Sequence, residues 1–242
     1  MAQFFKRLFG RPGLPRALTY EDARAVLESH ERRSKEELAG RTDVEPEMLY
    51  YLAEHGSDGA RRLVAANPST PPEADRFLAD DVDAEVRGEL AHKIGRLLPD
   101  LLKSERDRVC ELTLETLQRL ATDQLPRVRA ILSEEIKRLD CVPKSIIEAL
   151  ARDAEESVSA PILEYSPLLA DNDLLEIIAS ARPERAFGGG PPAWFERNRF
   201  RRHRRVAGYP LGGGASRQSR CADPRGHDGK DHRPRGIHFA VA

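Results

Sequence analysis

Three arginines recur at equivalent positions: Ala60-Arg61, Val86-Arg87 and Val128-Arg129. A guanidinium is a planar fork of donors that matches a carboxylate or a phosphate. A row of such forks along one groove would bind acidic partners. The alternative is internal: each Arg pairs with an acid in a neighbouring turn, such as Asp58, Asp83 or Asp123, and fixes how adjacent units stack. The aliphatic stems can pack in either case while the charged ends stay wet. The internal reading is preferred. Tyr50 and Tyr51 complete the set of candidate interface residues. As neighbours on a helix, one should face inward and the other outward, and an outward tyrosine is a natural interface anchor.

No other residues have the spacing that chemistry requires. His30, His55 and His92 are isolated, and none belongs to a ligand motif. Glu134-Glu135 and Glu155-Glu156 are adjacent carboxylates, which point apart on a helix and form no acid–base pair by themselves. No Ser or Cys sits in a nucleophile elbow. Gly188–Gly190 and Gly212–Gly214 have no preceding strand and no following Lys-Ser/Thr, so they are not phosphate loops. Cys110, Cys141 and Cys221 are far apart and odd in number, without metal-ligand spacing, which fits a reduced cytoplasmic protein. No catalytic, cofactor-binding or metal residue is expected, and a non-enzyme is the reading.

The elements that carry the arginines repeat. Leu52 to Leu78, Arg61 to Arg87 and Val64 to Leu90 are each 26 residues apart. Such a period marks a stacked helical solenoid, which presents an extended binding surface. Thr42-Asp43-Val44-Glu45 and Thr70-Pro71-Pro72-Glu73 each combine a capping hydroxyl with a Glu three residues on, so each predicts a helix start. Asp83 is placed to cap the helix that carries Val86, Leu90, Ala91 and Ile94 inward. Asn67-Pro68 predicts a helix stop with Asn in the left-handed conformation.

Weaker copies continue with Leu120-Ala121, Val128-Arg129 and Leu132, then Leu150-Ala151, Asp153, Val158 and Ile162. Leu174 and Leu175 open another unit. Thr19 to Leu38 reads as one capped amphipathic helix, and residues 105–121 as a longer one. Strand alternation is absent from the body, so the predicted fold is all-α: a right-handed α-solenoid of HEAT-like helical repeats, with a disordered C-terminal tail.

Ala66-Asn67-Pro68-Ser69-Thr70-Pro71, followed by Leu78-Ala79-Asp80-Asp81 and Val86-Arg87, resembles leucine-rich-variant and HEAT-like repeats. With Leu49-Tyr50-Tyr51-Leu52-Ala53, Leu90-Ala91-His92-Lys93-Ile94 and Leu97-Leu98-Pro99-Asp100-Leu101, the stretch resembles a bacterial family of unknown function, number 2336 among such domains. The resemblance covers roughly residues 20–181 and is specific over 42–101. It implies a right-handed helical-repeat fold and no established reaction, cofactor or catalytic residue. The cysteine cluster that precedes the repeats in some leucine-rich-variant proteins has no counterpart before Cys110.

Charge divides the chain. Residues 1–181 hold 25 basic and 35 acidic side chains, whereas residues 182–242 hold 14 and 5. The later segment also holds 10 of the 17 glycines, with 13 Arg to one Lys. It cannot bury enough apolar surface to offset its ordering entropy, so disorder is expected. Its texture reads as out-of-frame translation of a GC-rich gene. One permitted choice of codons for Phe200 to Arg233, read one base later, gives another Ala-Asn-Pro turn and an Ile-Arg. The rival reading is a basic arm for nucleic acid around Arg197 to Arg205. Residues 1–18, with Phe4, Phe5, Leu8 and Phe9, are expected to be a flexible N-terminus without signal-peptide character. No apolar run reaches the roughly 18 residues of a membrane span.

Residues 19–181 are therefore expected to form a non-enzymatic scaffold for an unknown protein partner. A nucleic-acid-binding solenoid is the alternative, disfavoured by the acidic body.

Overall fold

The computed structural model describes residue 14, residues 18–102 and residues 107–180, the last three by backbone alone. Among the described residues there are eleven helices and no strand. They are α1 (Tyr20–Glu28), α2 (Arg32–Ala39), α3 (Pro46–His55), α4 (Asp58–Ala66), α5 (Pro72–Leu78) and α6 (Ala84–Leu101). Then follow α7 (Asp107–Ala121), α8 (Pro126–Ile136), α9 (Lys144–Ala151), α10 (Glu156–Tyr165) and α11 (Asp171–Ser180). The expected tail, 182–242, and nearly all of the expected N-terminal segment lie outside the described residues.

Most starts and stops have a local cause. Pro46, Pro72 and Pro126 occupy the first turn of α3, α5 and α8, where a missing N–H costs nothing. Thr19 and Asp22 form a reciprocal capping box on α1. Asp83 caps α6 by accepting from the Glu85 amide.

Four expectations at these ends are corrected. The predicted helix from Thr19 to Leu38 is two helices. The Ser29 hydroxyl donates to Val26 O and accepts from Glu31 N, which turns the chain between them. Thr70 is not the cap of α5, which begins from Pro71; its hydroxyl instead donates back to Val64 O at the end of α4. Thr42 does not cap α3, whose cap residue is Glu45. Asn67 ends α4, but at φ −78° and ψ 122°, extended rather than left-handed.

The helices form pairs in two layers. The first helix of each pair, α1, α3, α5, α7 and α9, packs on the equivalent helix of the next pair. The second helices, α2, α4, α6, α8 and α10, do the same, and the two helices of each pair also touch. The core lies between the layers. Leu52, Leu78, Leu120 and Leu150 enter it from one layer; Val64, Leu90, Leu132 and Ile162 enter from the other. All eight are buried. Each such burial stabilises the fold by about 1.5–3 kcal/mol.

The pairs are not uniform. Helix α5 has 7 residues, whereas α6 has 18 and α7 has 15. At about 1.5 Å per residue, the two long helices outrun α5 by more than two turns. One close crossing fixes α6 on α8: a Cβ at Gly95 would overlap the Cβ of Glu135, and one at Gly88 would press on Ile131. Gly95→Ala is expected to destabilise the fold by about 1–3 kcal/mol through overpacking. Gly40→Ala, whose new methyl meets only ordinary contacts, should be close to neutral. Urea denaturation of both variants checks this contrast.

Candidate functional site

The recurring arginines lie at the seams between helical pairs. Arg61 reaches forward to Asp81, with Nε–Oδ2 at 2.7 Å and Nη2–Oδ1 at 3.2 Å. Arg87 does the same to Asp123 at 2.5 and 3.1 Å, and Arg129 to Asp153 at 2.6 and 3.0 Å. The remaining Nη1 turns back. In Arg87 it donates to Asp81 O, and in Arg129 to Asp123 O, both at 2.6 Å. In Arg61 it reaches Gly56 O. Each Asp also accepts the amide two residues on, from Asp83, Leu125 and Glu155 respectively. One side chain thus orders a turn and receives the Arg of the preceding pair.

The unit is an Asp followed six residues later by an Arg, at Asp81/Arg87 and Asp123/Arg129. At Asp153 the sixth residue is Ser159, so the series ends there. The hydrogen bonds to Asp81, Asp123 and Asp153 raise the pKa of Arg61, Arg87 and Arg129. Burial pushes the Asp153 carboxyl up, but the Arg129 and Glu155 bonds outweigh it and hold it below the usual range. Of the other acids named from the sequence, Asp58 also pairs with Arg61, at 3.0 Å, and Asp83 pairs with Arg62.

The tyrosines take a different place. Helix α3 turns Met48, Leu49, Leu52 and Ala53 into the core, so neither Tyr50 nor Tyr51 points fully inward. Tyr50 is 38% exposed. Tyr51 is half-buried, with its ring 4.8 Å from that of His55. Phe77 stands on α5 one 26-residue step beyond Tyr51 and is 46% exposed. His92 bonds Glu135 at 2.9 Å across α6 and α8, and Cys110 is buried.

Sequence reasoning missed the polar centre of the molecule. Asn67 is buried, and its amide nitrogen donates to Ala39 O at 2.8 Å and Arg41 O at 2.7 Å, the end of the preceding pair. Its Oδ1 accepts from Ser69 N. Its own carbonyl accepts from Lys93 Nζ at 3.3 Å. Lys93 on α6 is 3% exposed and forms an ion pair with Asp75 on α5, itself 5% exposed. Burial pushes the Asp75 carboxyl up to about 6, against the pull of Lys93. Burial lowers the Lys93 ammonium, against the pull of Asp75. The only sequence signal was a Lys at an inward helical position, three residues after Leu90 and next to Ile94.

Asp75 and Lys93 line a groove of about 530 Å³ where the long helices outrun α5. Its walls include Pro71, Leu97, Leu101 and Val109, with Asp100 and Thr113 as further polar groups. Among the described residues no group of acids, His or Cys is arranged to hold a metal ion. No described helix is long and apolar enough to cross a membrane. No family model matches the chain, and no curated protein matches it.

Two predictions follow from the charged groups. Removing one partner of the buried pair, by Lys93→Met or Asp75→Leu, should cost about 3–5 kcal/mol; the double variant should recover most of that loss, because no buried charge is left alone. Chemical denaturation of the three variants reads this directly. The second concerns pH. Asp153 has a depressed pKa in the folded state, so its bridge stabilises above its unfolded pKa of about 4, and that share is lost as pH falls through the folded value. Arg129→Met should therefore be less stable than the parent at pH 7, with the gap closing towards pH 2.

Proposed function

We propose that the chain is a right-handed α-solenoid of HEAT-like helical repeats that serves as a non-enzymatic scaffold for another protein in the cytoplasm. The observation that carries this reading is the two-layer stack of helical pairs, in which second helices pack on second helices from α2 to α10. An open stack of this kind leaves long faces on both layers for a partner. The resemblance to bacterial family 2336 over residues 42–101 supports the same assignment.

The partner-binding face we assign is that of α3 and α5, where Tyr50, Tyr51 and Phe77 stand partly exposed on neighbouring helices of one layer. Aromatic side chains supply large contact area at low entropic cost, and they dominate interface energetics. Arg61, Arg87 and Arg129 serve this function indirectly. Their forks are engaged by Asp81, Asp123 and Asp153, which favours a stacking role. The same engagement removes the most regular row of cations from a nucleic-acid-binding reading. The acidic balance of residues 1–181 argues in the same direction.

Affinity capture from source-cell extract, with the parent and a Tyr50→Asp/Phe77→Asp variant side by side, tests the assignment. A partner held by the parent and lost from an equally helical variant is the expected outcome. Equal retention by both would contradict the assigned face. Salt-sensitive binding of the 1–181 segment to DNA would favour the nucleic-acid reading instead.

A further inference from the structure

The Lys93 ammonium has three protons and two acceptors, Asp75 Oδ1 and Asn67 O. No described residue accepts the third. Lys93 and Asp75 both line the groove between α5, α6 and α7, and Leu97, Leu101 and Val109 supply apolar wall. A lysine that is almost fully buried, beside a carboxyl group and on the wall of an apolar recess, has the elements of an imine-forming site. We propose that Lys93 is a carbonyl-reactive site, where Nζ condenses with a small aldehyde of apolar body held in the groove.

The steps balance within the pair. A proton passes from the Lys93 ammonium to the Asp75 carboxylate, which removes two buried charges at once. Burial already favours that exchange, since it pushes Asp75 up and Lys93 down. The freed lone pair on Nζ attacks the carbonyl carbon. A C–N bond forms, the carbonyl π pair moves to oxygen, and a proton shifts from nitrogen to oxygen to give the carbinolamine. Asp75 then returns its proton to the hydroxyl, the C–O bond breaks and water leaves. The product is a protonated imine beside an Asp75 carboxylate. No oxidant or reductant is consumed. The adduct keeps one positive and one negative charge in the same place, so the buried ion pair survives the reaction.

Size and charge set the ligand class. A groove of about 530 Å³ lies within the range of small-molecule sites. Asp100 and Asp75 in its lining disfavour an anionic aldehyde. Thr113 and Thr116 do not compete for the carbonyl, because their hydroxyls donate to Val109 O and Leu112 O on their own helix.

The test uses the full chain with butanal and sodium cyanoborohydride at neutral pH, the adducts being mapped by peptide mass spectrometry. Lys93 should be alkylated severalfold faster than Lys35 and Lys144, the reverse of the order that exposure alone would set, since Lys93 is 3% exposed. The preference should vanish in 6 M guanidinium. Labelling of Lys93 no faster than Lys35 and Lys144 in the folded chain would overturn the proposal. So would a preference that persists after unfolding, since it would then owe nothing to the groove.

Discussion

A helical pair cannot bury its apolar face alone, so each pair in this chain depends on a neighbour held in one register. Apolar contact between Leu, Val and Ile side chains drives that stacking but does not define it closely, because it is non-directional. The Arg–Asp bridge supplies direction. A bidentate guanidinium–carboxylate contact has fixed geometry, and here the carboxylate also orders the turn that starts the next helix. Three such bridges, from Arg61 to Asp153, tie four successive pairs together. Because the bridging side chains are largely buried, they are also less screened than surface ion pairs.

The Asn67–Lys93–Asp75 network fills a different need. The carbonyls of Ala39 and Arg41, at and beyond the end of α2, and that of Asn67, just past α4, have no donor within their own helices. A buried amide and a buried ammonium satisfy them. The cost of burying Lys93 is offset only because Asp75 accompanies it. That same arrangement places a lysine and a carboxyl group together on the wall of an apolar groove. A network that satisfies helix ends therefore also supplies reactive groups.

Much of this was legible in the sequence, and the rest fails for identifiable reasons. The 26-residue step from Leu52 to Leu78 and from Val64 to Leu90 announced the helices and their inward faces, because burial imposes the spacing. The proline at the start of α5 could be read because its effect is local. Thr70 could not. Its hydroxyl donates to Val64 O at the end of α4, and α5 starts one residue later, from Pro71. Asn67 was recognised as a stop, yet its side chain serves residues 26 and 28 positions earlier, which no local rule covers. Lys93 was missed because a cation at an inward position conflicts with helix periodicity. The conflict was itself the signal.

The most direct measurement is a double-mutant cycle on Arg87 and Asp123, using Arg87→Met and Asp123→Ala with stability read by urea denaturation. If the bridges hold the stack, the coupling energy will be about 1–3 kcal/mol, as for a largely buried, directly bonded pair. Additive losses with coupling near zero would mean that apolar contact alone sets the register, and that the arginines are available for another role.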